Sequence, residues 1–159
     1  MTSPPAFIIR AYTRKDRSAC LAAFKSNVPT DFTVEEIKQF EDWLDHLEKK
    51  EEADYYYVAL EHNKVIGCGG FSYDDQKGGI TLTWGLIDKT YHKMGYGKKL
   101  LEYRIARIKE YYPKEKVLLD TTQHAFCFFE KFGFQIVKIT DDYYAPGIDR
   151  YDMVLCVGS

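Results

Sequence analysis

Apolar and polar positions alternate along this chain in two rhythms, and the switches between them mark its elements. Phe7 to Tyr12 (FIIRAY) is a short β-rich run that predicts a first strand. Thr13 and Asp16 then have the spacing of a capping box with Asp in place of Glu. The helix they open turns Cys20, Leu21 and Phe24 inward and ends by Pro29. Thr33-Val34-Glu35-Glu36 is a second capping box, opening a helix to about Lys50. Its apolar stripe is Ile37, Phe40, Leu44 and Leu47, with Trp43 beside it and charges opposite. The charge run Glu48 to Asp54 reads as a solvated helix end and loop.

Tyr55 to Leu60 and Val65 to Tyr73 predict two strands joined tightly by Glu61-His62-Asn63-Lys64. Gly67, Gly69 and Gly70 inside the third strand mark a bulge or a close backbone approach. A polar turn, Asp74 to Gly79, leads into a fourth strand carrying Ile80, Leu82, Trp84, Leu86 and Ile87, which completes an antiparallel meander. Beyond His92-Lys93-Met94-Gly95-Tyr96-Gly97 the period becomes helical, with Leu101, Ile105, Ile108 and Tyr112 on one face until Pro113. Val117 to Asp120 predicts a short strand. A helix from about His124 should turn Ala125, Phe128, Phe129 and Phe132 inward and end at Gly133 in a left-handed cap, with Phe134 packing back. Gln135 to Thr140 is a strand, Asp141 to Asp149 with Pro146-Gly147 a turn, and Arg150 to Val157 a final strand.

The element order is therefore β-α-α-β-β-β-α-β-α-β-β. It predicts one α/β domain in the α+β sense over residues 7–157, a mixed, mainly antiparallel sheet flanked by helices. The fourth strand, third helix and fifth strand form a βαβ unit, which should be parallel and right-handed. A length of 159 residues suits one domain with a real core.

Charge and cysteine usage narrow the functional classes. A net charge of −2 provides no overall field for nucleic acid or an anionic membrane. No stretch approaches the roughly 20 apolar residues of a membrane helix. Cys20, Cys68, Cys127 and Cys156 form no C-x-x-C pair, which argues against a zinc ribbon or redox motif and for buried thiols in a reducing compartment. A soluble cytoplasmic protein without a metal is the expectation.

The turn Gly95-Tyr96-Gly97 carries the chemistry. A helix start leaves several N–H groups unpaired, the peptide dipoles add partial positive charge, and glycine lets phosphates approach the backbone. The turn lacks the first glycine and the Ser/Thr of a Walker loop, and Leu100 stands where a dinucleotide fingerprint needs its third glycine. By itself it predicts an anion cradle, or simply a tight strand-to-helix turn.

His92-Lys93-Met94-Gly95-Tyr96-Gly97, preceded by TLTWGLID and followed by KKLL, resembles the Q/R-x-x-G-x-G/A core motif of the GCN5-related N-acetyltransferases. Ala125 to Phe134 (AFCFFEKFGF) resembles that family's A-x-x-F-Y-E-K-x-G-F helix, and the element order from Phe7 to Val157 is similar throughout. The resemblance implies transfer of an acyl group, most often acetyl, from acetyl-CoA as co-substrate to a primary amine of a small-molecule or peptide acceptor. It implies that the strands on either side of the third helix splay to admit the pantetheine arm. Gly85, Leu86 and Ile87 would offer backbone groups to it, while His92, Lys93, Met94, Gly95, Tyr96, Gly97 and Lys98 surround the pyrophosphate. Lys99 adds charge there. Thr122 falls where the family often has an Asn contacting coenzyme A, and Phe129 falls on the cofactor side where the family has a tyrosine. Dimerisation is common in the family, so a homodimer is among the partners it implies.

Two positions depart from the family pattern. His92 replaces Gln or Arg and cannot reproduce a guanidinium fork. Phe129 replaces the tyrosine that protonates the departing thiolate; with a thiol pKa of about 8.5, its loss slows transfer without forbidding it. The attacking amine must be neutral, so a proton acceptor is needed. Asp120 and His124 are the candidates, with Asp88 the other carboxylate nearby in sequence; a strand-end bond, a helix-start residue and a turn start are their structural alternatives. Tyr73, Asp74, Asp75, Tyr143, Tyr144 and Asp149 are candidates to line an acceptor pocket. Two other readings stay open: a coenzyme-A-binding sensor or regulatory module with weak or no turnover, and an interaction domain in which the glycine turn is structural.

Overall fold

The computed structural model describes residues 6–49 and 55–156. Lys50, most of the charge run and Val157 therefore lie outside the described residues. The chain runs β1 (Phe7–Ala11), α1 (Arg17–Ser26), α2 (Val34–Lys49), β2 (Tyr55–Glu61), β3 (Lys64–Asp74), β4 (Gly79–Ile87), α3 (Tyr96–Tyr111), β5 (Lys116–Thr121), α4 (Phe126–Glu130), β6 (Gln135–Ala145) and β7 (Ile148–Cys156). This is the expected order, with short 3₁₀ turns at Arg14–Asp16 and Lys89–Tyr91 added. The strands form one sheet ordered β1-β2-β3-β4-β5-β7-β6. The β1/β2, β2/β3, β5/β7 and β6/β7 ladders are antiparallel. β4 and β5 pair in parallel, Ile80 with Val117 and Thr81 with Leu118, as a helical crossover requires.

The chain divides into two compact units. The first comprises residues 1–72 and 83–106. Its core joins Cys20, Ala23 and Phe24 of α1 to Phe40 and Leu44 of α2 and to Tyr56, Val58, Leu60, Cys68 and Leu86 of the sheet. Aromatic rings fill its centre: Phe24 stacks on Phe32 at 4.3 Å and Phe40 at 4.6 Å, and Trp84 meets Phe24 and Phe40 edge-on at 5.7 Å. The predicted caps form. Thr33 N–H donates to Glu36 Oε1 (3.0 Å) and Glu36 N–H to Thr33 Oγ1 (3.3 Å). Thr13 N–H donates to Asp16 Oδ2 at 2.9 Å, and Arg10 brings both Nη1 (2.8 Å) and Nη2 (2.9 Å) to the same carboxylate.

The close approach predicted for the third-strand glycines is present. A Cβ on Gly70 would lie 2.0 Å from the Tyr55 carbonyl oxygen, and one on Gly67 2.6 Å from that of Leu86. The register shift of this hairpin, between Ala59 and Leu60, leaves Ile66 as the extra residue, so the bulge lies in the third strand itself, beside Gly67.

The second unit comprises residues 73–82 and 107–159, with Ile80, Ile108, Val117, Phe134 and Met153 buried. Two expectations change here. The segment Asp141 to Asp149 is mostly strand: β6 runs to Ala145, β7 starts at Ile148, and only Pro146-Gly147 turns. Asp142 takes φ +54° at a register shift; its N–H donates to Asp149 Oδ1 (2.9 Å) and its Oδ1 accepts from Gly147 N–H (2.6 Å). These aspartates serve the hairpin backbone, which is why a polar run here is not a loop.

The helix predicted from His124 is only Phe126–Glu130. Thr122 explains the delay, because its hydroxyl accepts His124 N–H (3.2 Å) and its carbonyl accepts the N–H groups of Ala125 and Phe126 (3.1 Å each), closing a turn first. Nor does the helix bury its aromatic face: Phe128 is 38% exposed, and Ala125, Phe129 and Phe132 are half-buried. Gly133 at φ +97° and the buried Phe134 behave as the left-handed cap predicts.

Candidate functional site

The site begins where β4 ends. Trp84 takes φ +27°, an unfavourable value for a bulky residue, and Gly85 beyond it is exposed. Leu86 and Ile87 are buried, and the Ile87 carbonyl accepts two hydrogen bonds, from Asn27 Nδ2 at 2.9 Å and from the His92 imidazole at 2.7 Å. Both lone pairs of that oxygen are thus occupied. The Ile87 carbonyl is engaged within the protein, and the His92 ring turns back to brace the strand-to-helix connection.

Asp88 starts the turn, its carboxylate accepting Thr90 N–H at 2.9 Å, so it is committed to the backbone. The chain then passes Lys93 at φ +64° and Gly95 at φ +84°, with Met94 between them 61% exposed. Tyr96 opens α3, and its ring is used in packing, stacked on Phe7 at 5.1 Å and edge-on to Tyr91 at 6.2 Å. Only its backbone is left for a ligand.

Lys99 N–H donates back to the Gly95 carbonyl at 3.1 Å. The N–H groups of Gly95, Tyr96, Gly97 and Lys98 are therefore the donors that a helix start leaves over. Space exists in front of them: a Cβ on Gly95 would meet nothing within 4 Å, and one on Gly97 would meet only Ile87 Cγ1 at 4.0 Å. Converging donors, open space and the positive end of a helix of 16 residues fit a diphosphate. Of the cations, Lys93 is exposed, Lys98 stands 4.0 Å from Glu102, and the Lys99 ammonium lies 5.2 Å from the Phe7 ring centroid.

In the second unit a polar cluster surrounds the end of β5. Asp120 accepts a short hydrogen bond from the Tyr144 hydroxyl, and Arg150 Nη2 stands 4.0 Å from Asp120 and 2.9 Å from Asp152. Burial, then the bond and charge of Asp120, push the Tyr144 phenol well above its ordinary pKa, so it remains a donor at neutral pH. The Arg150 guanidinium lies 4.7 Å from the Tyr143 ring centroid. Gln123 joins the cluster to the hairpin, donating to the Gly147 carbonyl and accepting from Asp149 N–H at 2.8 Å. Gln123 and Arg150 were not legible beforehand.

His124 is exposed, and the Thr122 hydroxyl is engaged with its backbone N–H. Phe129 packs edge-on to Phe128 (5.2 Å) and Phe134 (5.9 Å), presenting carbon where a hydroxyl was sought. Asp74 caps its own turn, its carboxylate accepting the N–H groups of Gln76 and Lys77 at 3.0 Å, and Tyr73 stacks on Tyr112 at 6.4 Å. Among the described residues no helix is long and apolar enough to cross a membrane.

Residues 52–136 match the sequence model of the family described as an acetyltransferase (GNAT) domain. The chain is 29% identical over 145 residues to a protein of Sulfurisphaera tokodaii named N-alpha-acetyltransferase, covering 82% of this chain and 79% of that one. A GNAT-family protein from Desulfovibrio desulfuricans shares the fold with a TM-score of 0.83 at 19% identity, over 96% of this chain and 99% of that one. A Salmonella typhimurium protein solved with its cofactor acetyl-CoA has a TM-score of 0.74 at 15% identity, over 96% and 95% of the two chains.

Proposed function

The chain belongs to the GNAT acetyltransferase family and is an acetyl-CoA-dependent acetyltransferase; on that premise we propose that its acceptor is a primary amine, the α-amino group of a peptide. The open glycine turn with the helix-start N–H groups of Gly95, Tyr96, Gly97 and Lys98 carries the cofactor half of this reading. The name of the Sulfurisphaera tokodaii relative supports the α-amine half. We assign residues 7–157 to one acetyltransferase domain.

The backbone from Lys93 to Lys98 holds the pyrophosphate, with Lys93 and Lys98 adding screened surface charge. Gly85 and Leu86 supply backbone to the pantetheine arm, and Thr122 and Phe129 contribute further contacts to coenzyme A. The amine nitrogen adds to the thioester carbonyl carbon. A C–N bond forms, the C–S bond breaks, the amine proton passes through Asp120 or His124 to water, and the thiolate leaves without a tyrosine acid. A thiol pKa of about 8.5 makes that departure tolerable. Asp120, held by the Tyr144 hydroxyl, is the first candidate base, and the exposed imidazole of His124 is the second.

The test is thiol release from acetyl-CoA with three acceptors: a peptide with a free α-amine, the same peptide blocked at its N-terminus but bearing a lysine, and a small polyamine. Release with the first alone is expected. Release only with the second or third would overturn the α-amine reading, and a thermal shift with acetyl-CoA but no release from any would favour a coenzyme-A sensor.

A further inference from the structure

Arg104 sits on the buried stripe of α3, three residues after Leu101 and four before Ile108, and is only 6% exposed. Its Nε and Nη2 both donate to the Gly70 carbonyl, at 3.0 and 2.7 Å, and Nη2 also donates to the Thr83 carbonyl at 3.0 Å. Those bonds use three of the five guanidinium N–H groups. Among the described residues, the two on Nη1 have no acceptor and no carboxylate lies within ion-pair distance of the group. Burial lowers its pKa to about 10, which still leaves it charged at neutral pH.

An uncompensated buried cation is costly, and such charges are ordinarily paired. Two glycines house this one. A Cβ on Gly85 would stand 2.4 Å from Nη1, and one on Gly69 3.2 Å from the central guanidinium carbon. Gly85 is itself exposed. The Nη1 end of the guanidinium therefore lies against the exposed backbone of Gly85 in β4, at the residue assigned above to the acyl-bearing arm.

We propose that Arg104 is a catalytic residue whose Nη1 donates to the thioester carbonyl oxygen as that oxygen gains negative charge. This rests on the acetyl-transfer reading above. When the amine adds, the carbonyl π electrons move onto oxygen, and they return as the C–S bond breaks. Arg104 gives up no proton in either step. A fixed donor aimed at developing charge in a water-poor setting accounts typically for 10²- to 10³-fold in rate. Gly69 and Gly85 acquire a common purpose, because a side chain at Gly85 would push the donor away.

The experiment measures kcat and KM for acetyl-CoA and the α-amine peptide in the wild type, R104Q, R104K and G85A, each checked for folding by thermal melt. R104Q should lose about 100-fold in kcat with the acetyl-CoA KM changed by less than about threefold. R104K should recover part of that loss, and G85A, which keeps the charge but displaces it, should lose about tenfold or more. Should R104Q fail to fold, R104K and G85A decide the matter. Folded variants that keep wild-type kcat, or that lose activity only through acetyl-CoA KM, would overturn the role of Arg104. A wild type that binds acetyl-CoA and acetylates no amine would overturn the acetyl-transfer reading and this one with it.

Discussion

The imidazole of His92 lies 2.7 Å from the carbonyl oxygen of Ile87, five residues earlier, and so closes the strand-to-helix connection on itself. Asn27, just past the end of α1, donates to the same oxygen at 2.9 Å. The glycine turn is thereby fixed at its base while its tip stays open. In H92A, one neutral hydrogen bond of about 1 kcal/mol is lost. The acetyl-CoA KM is expected to rise about fivefold with kcat little changed, as steady-state kinetics with varied acetyl-CoA would show. An unchanged KM would mean the turn holds its shape without the imidazole.

Gly97 offers a harsher perturbation of the same turn. A Cβ there meets only Ile87 Cγ1, at 4.0 Å, so a larger side chain fits the fold while intruding on the space before the helix-start donors. G97E adds a negative charge where the proposed ligand carries its own. The melting temperature without ligand should stay near that of the wild type, and the rise produced by saturating acetyl-CoA should disappear. A preserved rise would place the pyrophosphate elsewhere.

Both substitutions concern a turn whose significance the sequence already carried, because glycine spacing and a switch of period are local signals. The strands, the caps at Thr33 and Thr13 and the left-handed Gly133 were legible for the same reason. Some of the rest depends on partners distant in the chain. Arg104 occupies an inward position on α3, and its acceptors on Gly70 and Thr83 lie 34 and 21 residues away in the chain. The late start of α4 follows from the hydrogen bonds of Thr122, and the strand character of Asp141 to Asp149 from two aspartates serving hairpin backbone. The short-range pattern of these polar residues resembles a loop; only the register shows otherwise.

The Tyr144–Asp120 pair makes a separate prediction for the acceptor. Tyr144 remains a donor at neutral pH, and a bond to a charged group typically counts for about 1.5–3 kcal/mol. Y144F should impair turnover of the amine about tenfold or more in kcat/KM, while the thermal shift with acetyl-CoA stays at the wild-type level. Loss of that shift would instead assign the pair to the cofactor.

Acid stability should depend on Asp16. Burial alone would raise its pKa, but hydrogen bonds from Arg10 and Thr13 and the Arg10 charge outweigh burial and leave it below the usual carboxylate value. A folded pKa below the unfolded value of about 3.9 means that the native state favours the ionised form. Its contribution to stability is therefore complete above about pH 4 and lost as the pH falls through the depressed folded value. Arg10 is 42% exposed, which screens its side of the pair, so a contribution of about 1–2 kcal/mol is reasonable. D16N should lower the urea midpoint at pH 7 accordingly, and the gap between variant and wild type should shrink toward pH 2. A gap that is the same at pH 7 and pH 2 would show that the carboxylate charge contributes nothing and that the cap acts through shape alone.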